Sequence, residues 1–202
     1  MNEQDILENR NWLEVWHHYY DPELKLEPND PNAICISSVD ASGMPNGRYV
    51  LLKDVSEKGF LFYTNLKSQK GKELFEAGKG ALTWWSRAQN KSVRAQGSIE
   101  QVSDDIADTY WASRKEDAKI SAILSKQSDE VASREQLEEE FAKLKAEYAG
   151  KNIPRPDHWS GVIICPQKIE FWEATSAYTS RLHNRFVFEL NDNQWTTKRL
   201  YP

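Results

Sequence analysis

The chain has 202 residues and a formal net charge of −5, so it is long enough to bury a substantial core and too acidic for a general nucleic-acid-binding protein. No apolar run approaches the ~20 residues that cross a bilayer, and the acidic segment 1–5 lacks the features of a secretory signal. The sequence therefore predicts a cytoplasmic protein with neither nucleic acid nor membrane as a partner. Cys35 and Cys165 stand apart and indicate reduced core residues rather than a metal or redox site.

Familiar catalytic signatures are missing from the sequence. The nine glycines form neither a dinucleotide-binding fingerprint nor a phosphate-binding loop. The four histidines do not have the spacing of a zinc-binding helix, and no Gly-x-Ser-x-Gly elbow occurs. A metalloenzyme or a serine hydrolase is therefore disfavoured.

The first 31 residues predict a helical lead-in. Apolar residues follow helical spacing as far as Tyr20, and Trp12 and Trp16 share one face of the helix. The prolines at positions 28 and 31 end this segment and lead into a region of strands.

Short segments of strand-forming residues then follow at close spacing. Strands are predicted at 33–39, 48–55, 59–64, 81–86, 92–102, 161–171, 185–190 and 194–199. Successive short strands favour an antiparallel barrel or sandwich over a doubly wound parallel sheet.

The segment 104–150 changes to helical spacing, with helices predicted at 104–114, 117–124 and 133–148. Asp104 is predicted to cap the first of them, and Ser133 with Gln136 to form a capping box at the third. The third helix also carries an apolar stripe made of Leu137, Phe141, Leu144 and Tyr148. We interpret residues 1–202 as a single, mainly β (α+β) domain with a helical insertion at 104–150.

Cations mark both ends of the second predicted strand. Arg48 and Lys53 are five residues apart, so a regular strand would point them to opposite faces, about 17 Å from each other. Lys70 follows near the start of a helix, where free N–H groups and the helix dipole favour an anion. The arrangement indicates more than one anionic group, although each cation alone would be an ordinary solvated side chain.

These segments occur together with further motifs, and the combination resembles the pyridoxine (pyridoxamine) 5′-phosphate oxidases. The motifs are Arg-Tyr-Val-Leu-Leu-Lys at 48–53, Phe-Tyr-Thr-Asn at 62–65, Ser-Gln-Lys-Gly-Lys at 68–72, Ser-Lys-Gln-Ser at 125–128, Ile-Glu-Phe-Trp at 169–172, Arg-Leu-His at 181–183 and Arg-Leu-Tyr-Pro at 199–202. The resemblance runs from about Asn32 to Pro202, with the motifs in the family's order.

The resemblance implies an antiparallel FMN-binding split barrel with peripheral helices, which works as a homodimer with the flavin at the subunit interface. The positions that match FMN contacts of the family are Arg48, Tyr49, Val50, Leu51, Leu52, Lys53, Tyr63, Thr64, Gln69, Lys70, Ser92, Gln127, Ser128, Trp172 and Arg185. The positions that match substrate contacts are Lys53, Tyr110, Arg114 and Ala118, together with Arg181 and His183, the implied catalytic pair beside the substrate ring.

The implied reaction is the oxidation of pyridoxamine or pyridoxine 5′-phosphate at C4′ to give pyridoxal 5′-phosphate. A hydride passes to flavin N5, and oxygen then reoxidises the flavin with release of H2O2, without a metal. Two alternatives stay open: a related oxidase that acts on another small ring, as in phenazine pathways, and a non-catalytic flavin- or pyridoxal-phosphate-binding module. The retained residues favour the B6 phosphates, and they are Lys53, Tyr110, Arg114, Arg181 and His183.

Some positions depart from the family pattern. Ser92 stands where a glutamine is usual, Gln69 where an arginine is frequent, Ala118 where a serine holds substrate phosphate, and Asn184 in place of an aspartate. The segment 173–180 has eight residues against about five in the family. These departures cluster nearer to the substrate than to the flavin phosphate, and they leave the identity of the substrate open.

Overall fold

The computed structural model describes residues 1–175 and 181–202. Its lead-in contains three helices, α1 (Glu3–Glu8), α2 (Trp12–Tyr20) and α3 (Glu23–Leu26). The prediction of one continuous helix up to Tyr20 is wrong, because the chain leaves helical geometry at 9–11 and Asn11 caps α2 by accepting a hydrogen bond from the Leu13 N–H at 3.1 Å. The short helix α3 was not predicted.

Eight strands form one antiparallel sheet. They are β1 (Ala33–Val39), β2 (Pro45–Ser56), β3 (Gly59–Asn65), β4 (Lys79–Ser86), β5 (Lys91–Gln101), β6 (Trp159–Glu173), β7 (Asn184–Asn191) and β8 (Gln194–Arg199). Their spatial order is β3-β2-β1-β4-β5-β6-β7-β8, and β3 also pairs with β6. This last pairing closes β1 to β6 into a six-stranded barrel, which β7 and β8 extend, so the predicted antiparallel barrel is confirmed.

Strand β6 belongs to both parts of the sheet. Its first half pairs with β3, with Thr64 opposite Ser160, and its second half pairs with β7, with Trp172 opposite Arg185. The neighbouring β5 follows it along most of its length and shifts register at Gly97. A Cβ atom at Gly97 would lie 1.8 Å from the Cys165 carbonyl oxygen, so only glycine fits at this close approach.

The lead-in covers the barrel core. Trp16 of α2 is 1% exposed, and its ring lies 5.2 Å from that of Phe60 and 5.6 Å from that of Trp84. The indole N–H of Trp84 donates to the Pro31 carbonyl at 3.0 Å. Burying a side chain such as Phe60 stabilises the fold by about 1.5–3 kcal/mol. The predicted shared face of Trp12 and Trp16 is confirmed, since both are buried against the barrel.

Four further helices surround the barrel: α4 (Gln69–Ala77), α5 (Asp104–Ser113), α6 (Glu116–Leu124) and α7 (Arg134–Tyr148). Two capping predictions need correction. Ser103 occupies the N-cap position of α5, and Asp104 is its first helical residue. At α7 the Ser133 hydroxyl accepts from the Gln136 N–H at 3.1 Å, but the Gln136 side chain donates to Glu140 at 2.8 Å, so the capping box is only half formed.

The helical segment builds a second apolar cluster outside the barrel. Its buried members include Trp111, Ile120 and Trp159, and three residues of the predicted α7 stripe pack on them: Phe141, Leu144 and Tyr148. The helices of the insertion therefore pack against the start of β6. The assignment of residues 1–202 to one domain stays a prediction.

Some further features of the described residues bear on function. Cys35 on β1 and Cys165 on β6 are free and only partly buried, so the prediction that both belong to the core is wrong. In residues 1–175 and 181–202 no helix is long and apolar enough to cross a membrane. Within the same ranges, no group of three or more His, Cys, Asp or Glu side chains is placed to hold a metal ion.

Candidate active site

A groove of about 740 Å³ lies beside the barrel and collects most of the predicted contact residues. Those that line it are Arg48, Tyr49, Val50, Leu51, Lys53, Tyr63, Thr64, Lys70, Tyr110, Arg114, Ala118 and Gln127. Residues that sequence reasoning did not assign to the site also line it, namely Asn65, Ser121, Ala122, Ser125 and Trp159. Asn65 and Ser125 stand within the family motifs, which is the signal that could have found them.

Strand β2 forms one wall of the groove. Tyr49 is 79% exposed and Leu51 39% exposed, so β2 offers apolar surface to the groove. The side chain of Leu52 lies in the barrel core at 4% exposure, which leaves only its backbone for the predicted cofactor contact. The register shifts in the bulge between Leu52 and Asp54. Lys53 lies at this bulge and borders the same groove as Arg48. The prediction that the two side chains point to opposite faces assumed a regular strand and did not foresee this shared groove.

Arg48 is held by a buried carboxylate. Its guanidinium donates to the Ser38 hydroxyl at 2.5 Å and to the Glu73 carboxylate at 3.2 Å. Glu73 also accepts hydrogen bonds from Ser38, from the Asn46 amide at 2.8 Å and from the Gln69 amide at 2.8 Å. The bond from Ser38, followed by those from Gln69 and Arg48, lowers the pKa of the Glu73 carboxyl. Sequence reasoning missed Glu73, whose only sequence signal is its place four residues after Gln69 on one helix face.

Lys70 lies at the start of α4 and is 9% exposed. Its ammonium donates to the Gln127 side-chain oxygen at 2.6 Å and to the Ser68 hydroxyl at 3.3 Å. Burial, and then the nearby Arg48, lower its pKa to about 8. No ion pair joins Lys70 to a carboxylate in the part of the chain that the structure describes. A buried ammonium at a helix N-terminus without a counter-ion is a site for an anion.

The segment after α6 is fixed to the same helix start. Ser128 has a left-handed backbone (φ 83°), which non-glycine residues rarely adopt, and its hydroxyl accepts from the Gln69 N–H at 3.1 Å. The Asn65 amide donates to the Ser125 carbonyl at 3.1 Å. Gln69 and Ser128 thus lie beside the groove, and the Gln69 side chain is turned towards Glu73.

An aromatic stack forms another part of the groove. The Tyr63 ring lies 3.9 Å from that of Tyr110 at an angle of 8°, and 5.1 Å from that of Trp159. The Arg114 guanidinium lies 4.8 Å from the Trp159 ring and donates to the Ala118 carbonyl at 2.9 Å. Helix α5 ends one residue before Arg114, so Arg114 and Tyr110 are not one turn apart on a helix as predicted. Both side chains nevertheless line the groove.

The Arg114 cation has spare hydrogen-bonding capacity. Its Nε atom is buried without a partner in the described structure, and burial lowers the pKa of its guanidinium. Among the described residues no carboxylate pairs with it. Arg114 is therefore a second cation, held apart from Lys70, that can receive an anionic group.

Three predicted FMN contacts lie on a different surface. Ser92, Trp172 and Arg185 line a shallow cavity of about 410 Å³, together with Trp85, Arg94, Glu170 and Pro202. We call this the second surface. Glu170 accepts from Arg94 at 2.7 Å and from Arg185 at 2.9 Å. Burial by itself raises the pKa of the Glu170 carboxyl, but the two arginines outweigh it and leave the pKa below its usual value.

Neither residue of the predicted catalytic pair lines the groove of its own chain, and His183 lies next to the second surface. The His183 ring centre is 4.9 Å from that of Trp172, and its Nδ1 is buried without a partner in the described structure. Arg181 is exposed and has a left-handed backbone (φ 52°). Residues 176–180 of the longer segment lie outside the described residues, and the approach of the pair to a flavin stays a prediction.

Comparison with known proteins gives the family. The family model described as pyridoxamine 5′-phosphate oxidase matches residues 20–148, and the model of the pyridoxine 5′-phosphate oxidase C-terminal dimerisation region matches 159–202. A pyridoxine/pyridoxamine 5′-phosphate oxidase of Caulobacter vibrioides is 46% identical over 178 residues, which cover 88% of this chain and 79% of that protein. The protein of that name from Brucella anthropi is 47% identical over 178 residues, with 87% and 86% covered.

Solved structures agree with the fold. PhzG from Burkholderia lata 383, in complex with tetrahydrophenazine-1-carboxylic acid, has a TM-score of 0.91 and 25% identity over 100% of this chain and 98% of its own. A pyridoxamine 5′-phosphate oxidase-related, FMN-binding protein from Nostoc punctiforme has a TM-score of 0.75 at 14% identity, with 97% and 100% covered, and supports the fold alone. The two family matches and the two relatives make this chain an oxidoreductase of the pyridoxamine phosphate oxidase type, and it belongs to the pyridoxine/pyridoxamine 5′-phosphate oxidase family.

Proposed function

We propose that this chain is a cytoplasmic, FMN-dependent oxidase that converts pyridoxamine and pyridoxine 5′-phosphates to pyridoxal 5′-phosphate, with O2 as acceptor and H2O2 as product. The observation that carries the proposal is a single groove with two separately held cations, Lys70 and Arg114, which have no carboxylate partner among the described residues. A cofactor phosphate and a substrate phosphate would supply the two missing anions.

The residues of the groove fit FMN. Its phosphate would lie against Lys70 and Arg48 at the start of α4, where the helix dipole adds to the attraction. The exposed Tyr49 and Leu51 give the flat ring an apolar surface. Bound FMN would supply the redox chemistry, taking a hydride equivalent from the substrate and passing the electrons to dioxygen.

The chain's own residues bind and orient the substrate. Lys53, Tyr110 and Arg114 would hold its phosphate, and the unpartnered Nε of Arg114 would gain an acceptor. Arg181 and His183 would align C4′, and His183 would accept the proton that leaves the substrate's amine or hydroxyl group. The substrate phosphate lies far from the reacting carbon. Its contacts therefore orient the substrate and stay the same in the ground state and the transition state.

We infer that the active unit is a homodimer. The contacts matched to FMN divide between the groove and the second surface, and the residues 159–202, which match the family's dimerisation region, contribute Trp172 and Arg185. In a symmetric dimer the second surface of each chain would complete the groove of its partner. The exposed side chain of Trp85, 52% accessible in the single chain, is the kind of aromatic that such an interface buries.

Anaerobic mixing tests the activity. The purified FMN-loaded protein is mixed with pyridoxamine 5′-phosphate without oxygen, and the flavin absorbance is followed. We expect bleaching, then return of the yellow colour and formation of H2O2 when air is admitted. Protein that holds FMN but shows no bleaching with either B6 phosphate would instead be a binding module.

Subunit mixing tests the composite site. Lys70→Ala damages the groove, and Arg181→Ala removes one member of the catalytic pair that the partner chain would supply, so each homodimer should be nearly inactive. Random mixed dimers would contain one intact site, and an equal mixture should recover about one quarter of wild-type activity. No recovery after unfolding and joint refolding would contradict a site shared between chains.

A second candidate function follows from the likeness to PhzG, whose structure matches this chain over its whole length. Ala118 contributes only its backbone carbonyl to Arg114, so the groove has no side-chain hydroxyl there to select a phosphate over a carboxylate. In this case the substrate would be a reduced tricyclic aromatic carboxylate. Bleaching of the flavin by tetrahydrophenazine-1-carboxylic acid, and not by the B6 phosphates, would favour this function.

A further inference from the structure

The side chain of Asn184, next to the predicted catalytic pair, connects the first strand after that pair to the N-terminal helix α1. Asn184 is 9% exposed and is the first residue of β7, directly after His183. Its amide nitrogen donates to the Glu3 carboxylate at 2.7 Å and to the Glu173 carboxylate at 3.0 Å. Glu3 is the first residue of α1, so the contact links residues 181 positions apart.

The contact lies at the base of the segment that carries Arg181 and His183. Glu173 and Asn184 are direct partners across β6 and β7, so Asn184 joins His183 to the end of β6. On the outgoing side, the Ala174 N–H donates to the Asn90 carbonyl at 3.0 Å. The base of the segment is therefore tied both to the β4–β5 turn and, through Asn184, to α1.

An amide suits this position because both of its neighbours are carboxylates. The Asn184 amide nitrogen donates to both Glu3 and Glu173. Arg199 donates to the other oxygen of Glu3 at 2.7 Å. The hydrogen bond from Asn184, and then that from Arg199, lower the pKa of the Glu3 carboxyl. A carboxylate in place of the amide would face two like charges at hydrogen-bond distance.

We propose that Asn184 is a positioning residue for the oxidation, because it uses Glu3 of the N-terminal helix to fix the base of segment 174–183 and so the direction of Arg181 and His183. The inference rests on the proposed role of that pair. The N-terminal helix then contributes to catalysis without touching substrate or cofactor.

The substitution Asn184→Asp tests the proposal in the FMN-loaded enzyme. We expect kcat for pyridoxamine 5′-phosphate to fall about tenfold at pH 8, with FMN content and KM within about twofold of wild type, because the phosphate contacts lie elsewhere. The double variant Glu3→Gln/Asn184→Asp should recover to within about twofold, since the amide introduced at position 3 can donate to the new carboxylate. Glu3→Gln alone and the exposed Asn152→Asp are the controls, and both should stay within about twofold.

The pH profile separates this mechanism from a general loss of structure. The titratable groups around the amide are the chain's amino terminus, Glu3, His18, Tyr19, Lys91, Glu173 and Arg199. Repulsion needs the new carboxylate at position 184 ionised, and the neighbouring negative charges favour its protonated form, so the defect of Asn184→Asp should shrink as the pH falls to 5.5. If Asn184→Asp fails to retain FMN, Asn184→Ala takes its place, with a smaller loss of kcat that does not vary with pH.

Full activity of Asn184→Asp, or a loss that Glu3→Gln does not reverse, would overturn the proposal, and so would full activity of Asn184→Ala where that variant takes its place. If the wild type itself does not oxidise B6 phosphates, limited proteolysis gives a separate answer. Asn184→Asp should then speed tryptic cleavage after the exposed Arg181, and the double variant should restore protection. Equal cleavage of all variants would overturn the role of Asn184, whatever the substrate.

Discussion

The buried ammonium of Lys70 makes FMN affinity depend on pH in a specific way. Without FMN its pKa is lowered to about 8 by burial and by Arg48. A phosphate dianion beside it favours the charged form and raises the pKa again. Binding above pH 8 therefore requires uptake of a proton, so affinity should be constant below pH 8 and fall by up to tenfold per pH unit above it. Between pH 7 and 9.5 the expected loss is about 30-fold.

Fluorescence quenching of FMN during titration with apoprotein measures this affinity at each pH. The phosphate is already a dianion at pH 7, and the pKa of Tyr63 is raised by its burial, so neither should titrate in this range. Lys70→Arg should give a flat profile, because a guanidinium stays charged, whereas the exposed Lys72→Arg should keep the wild-type slope. A flat wild-type profile, or equal slopes in wild type and Lys70→Arg, would refute the reasoning.

Three further outcomes test the groove. Glu73→Ala should lower the free energy of unfolding by about 3 kcal/mol or more, and Glu73→Gln by less, because Arg48 and three polar groups lose a buried acceptor. The pKa of Glu73 is lowered on folding, so its ionised carboxylate should stabilise the fold at neutral pH. Urea-unfolding curves should show this contribution vanish below pH 4. Arg114→Ala should raise KM for pyridoxamine 5′-phosphate with little change in kcat, and Ala118→Ser should lower KM. Arg181→Ala should reduce kcat about 100-fold, or ~2.7 kcal/mol, at normal FMN content by absorbance; unchanged rates would remove Arg181 from the site.

The barrel was predictable because some of its strands, such as β1 and β4, alternate between buried and exposed residues. In β1, Ile34, Ile36 and Ser38 face inwards and their neighbours outwards, as period-two patterning requires. The lead-in was harder, because the helix break at 9–11 depends on local capping by Asn11, which competes with a continuous apolar stripe. Helix α3 is only four residues long, too short for any periodicity to show.

Only part of the candidate site was predictable, namely the residues that stand in short sequence motifs. Arg48, Lys53 and Lys70 stand in short motifs, so they could be named from the sequence, whereas Arg114 was named only from its matching position in the family. Glu73 could not, because its importance comes from Ser38 and Arg48, which lie 35 and 25 residues away on other elements. The partner of Asn184 is more distant still, and a lone Glu3 at a helix start looks like a favourable charge on the helix dipole and nothing more.

Strand β6 gives the strongest physical reason for a shared site. Trp159, at its first residue, lines the groove, and Trp172, thirteen residues later, lines the second surface. Along a straight strand thirteen residues span about 43 Å, and the hydrogen bonds of β6 to β3, β5 and β7 keep the strand extended. One flavin nucleotide is too short to contact both of these tryptophans in the same chain. A flavin site that uses both would therefore take them from two chains.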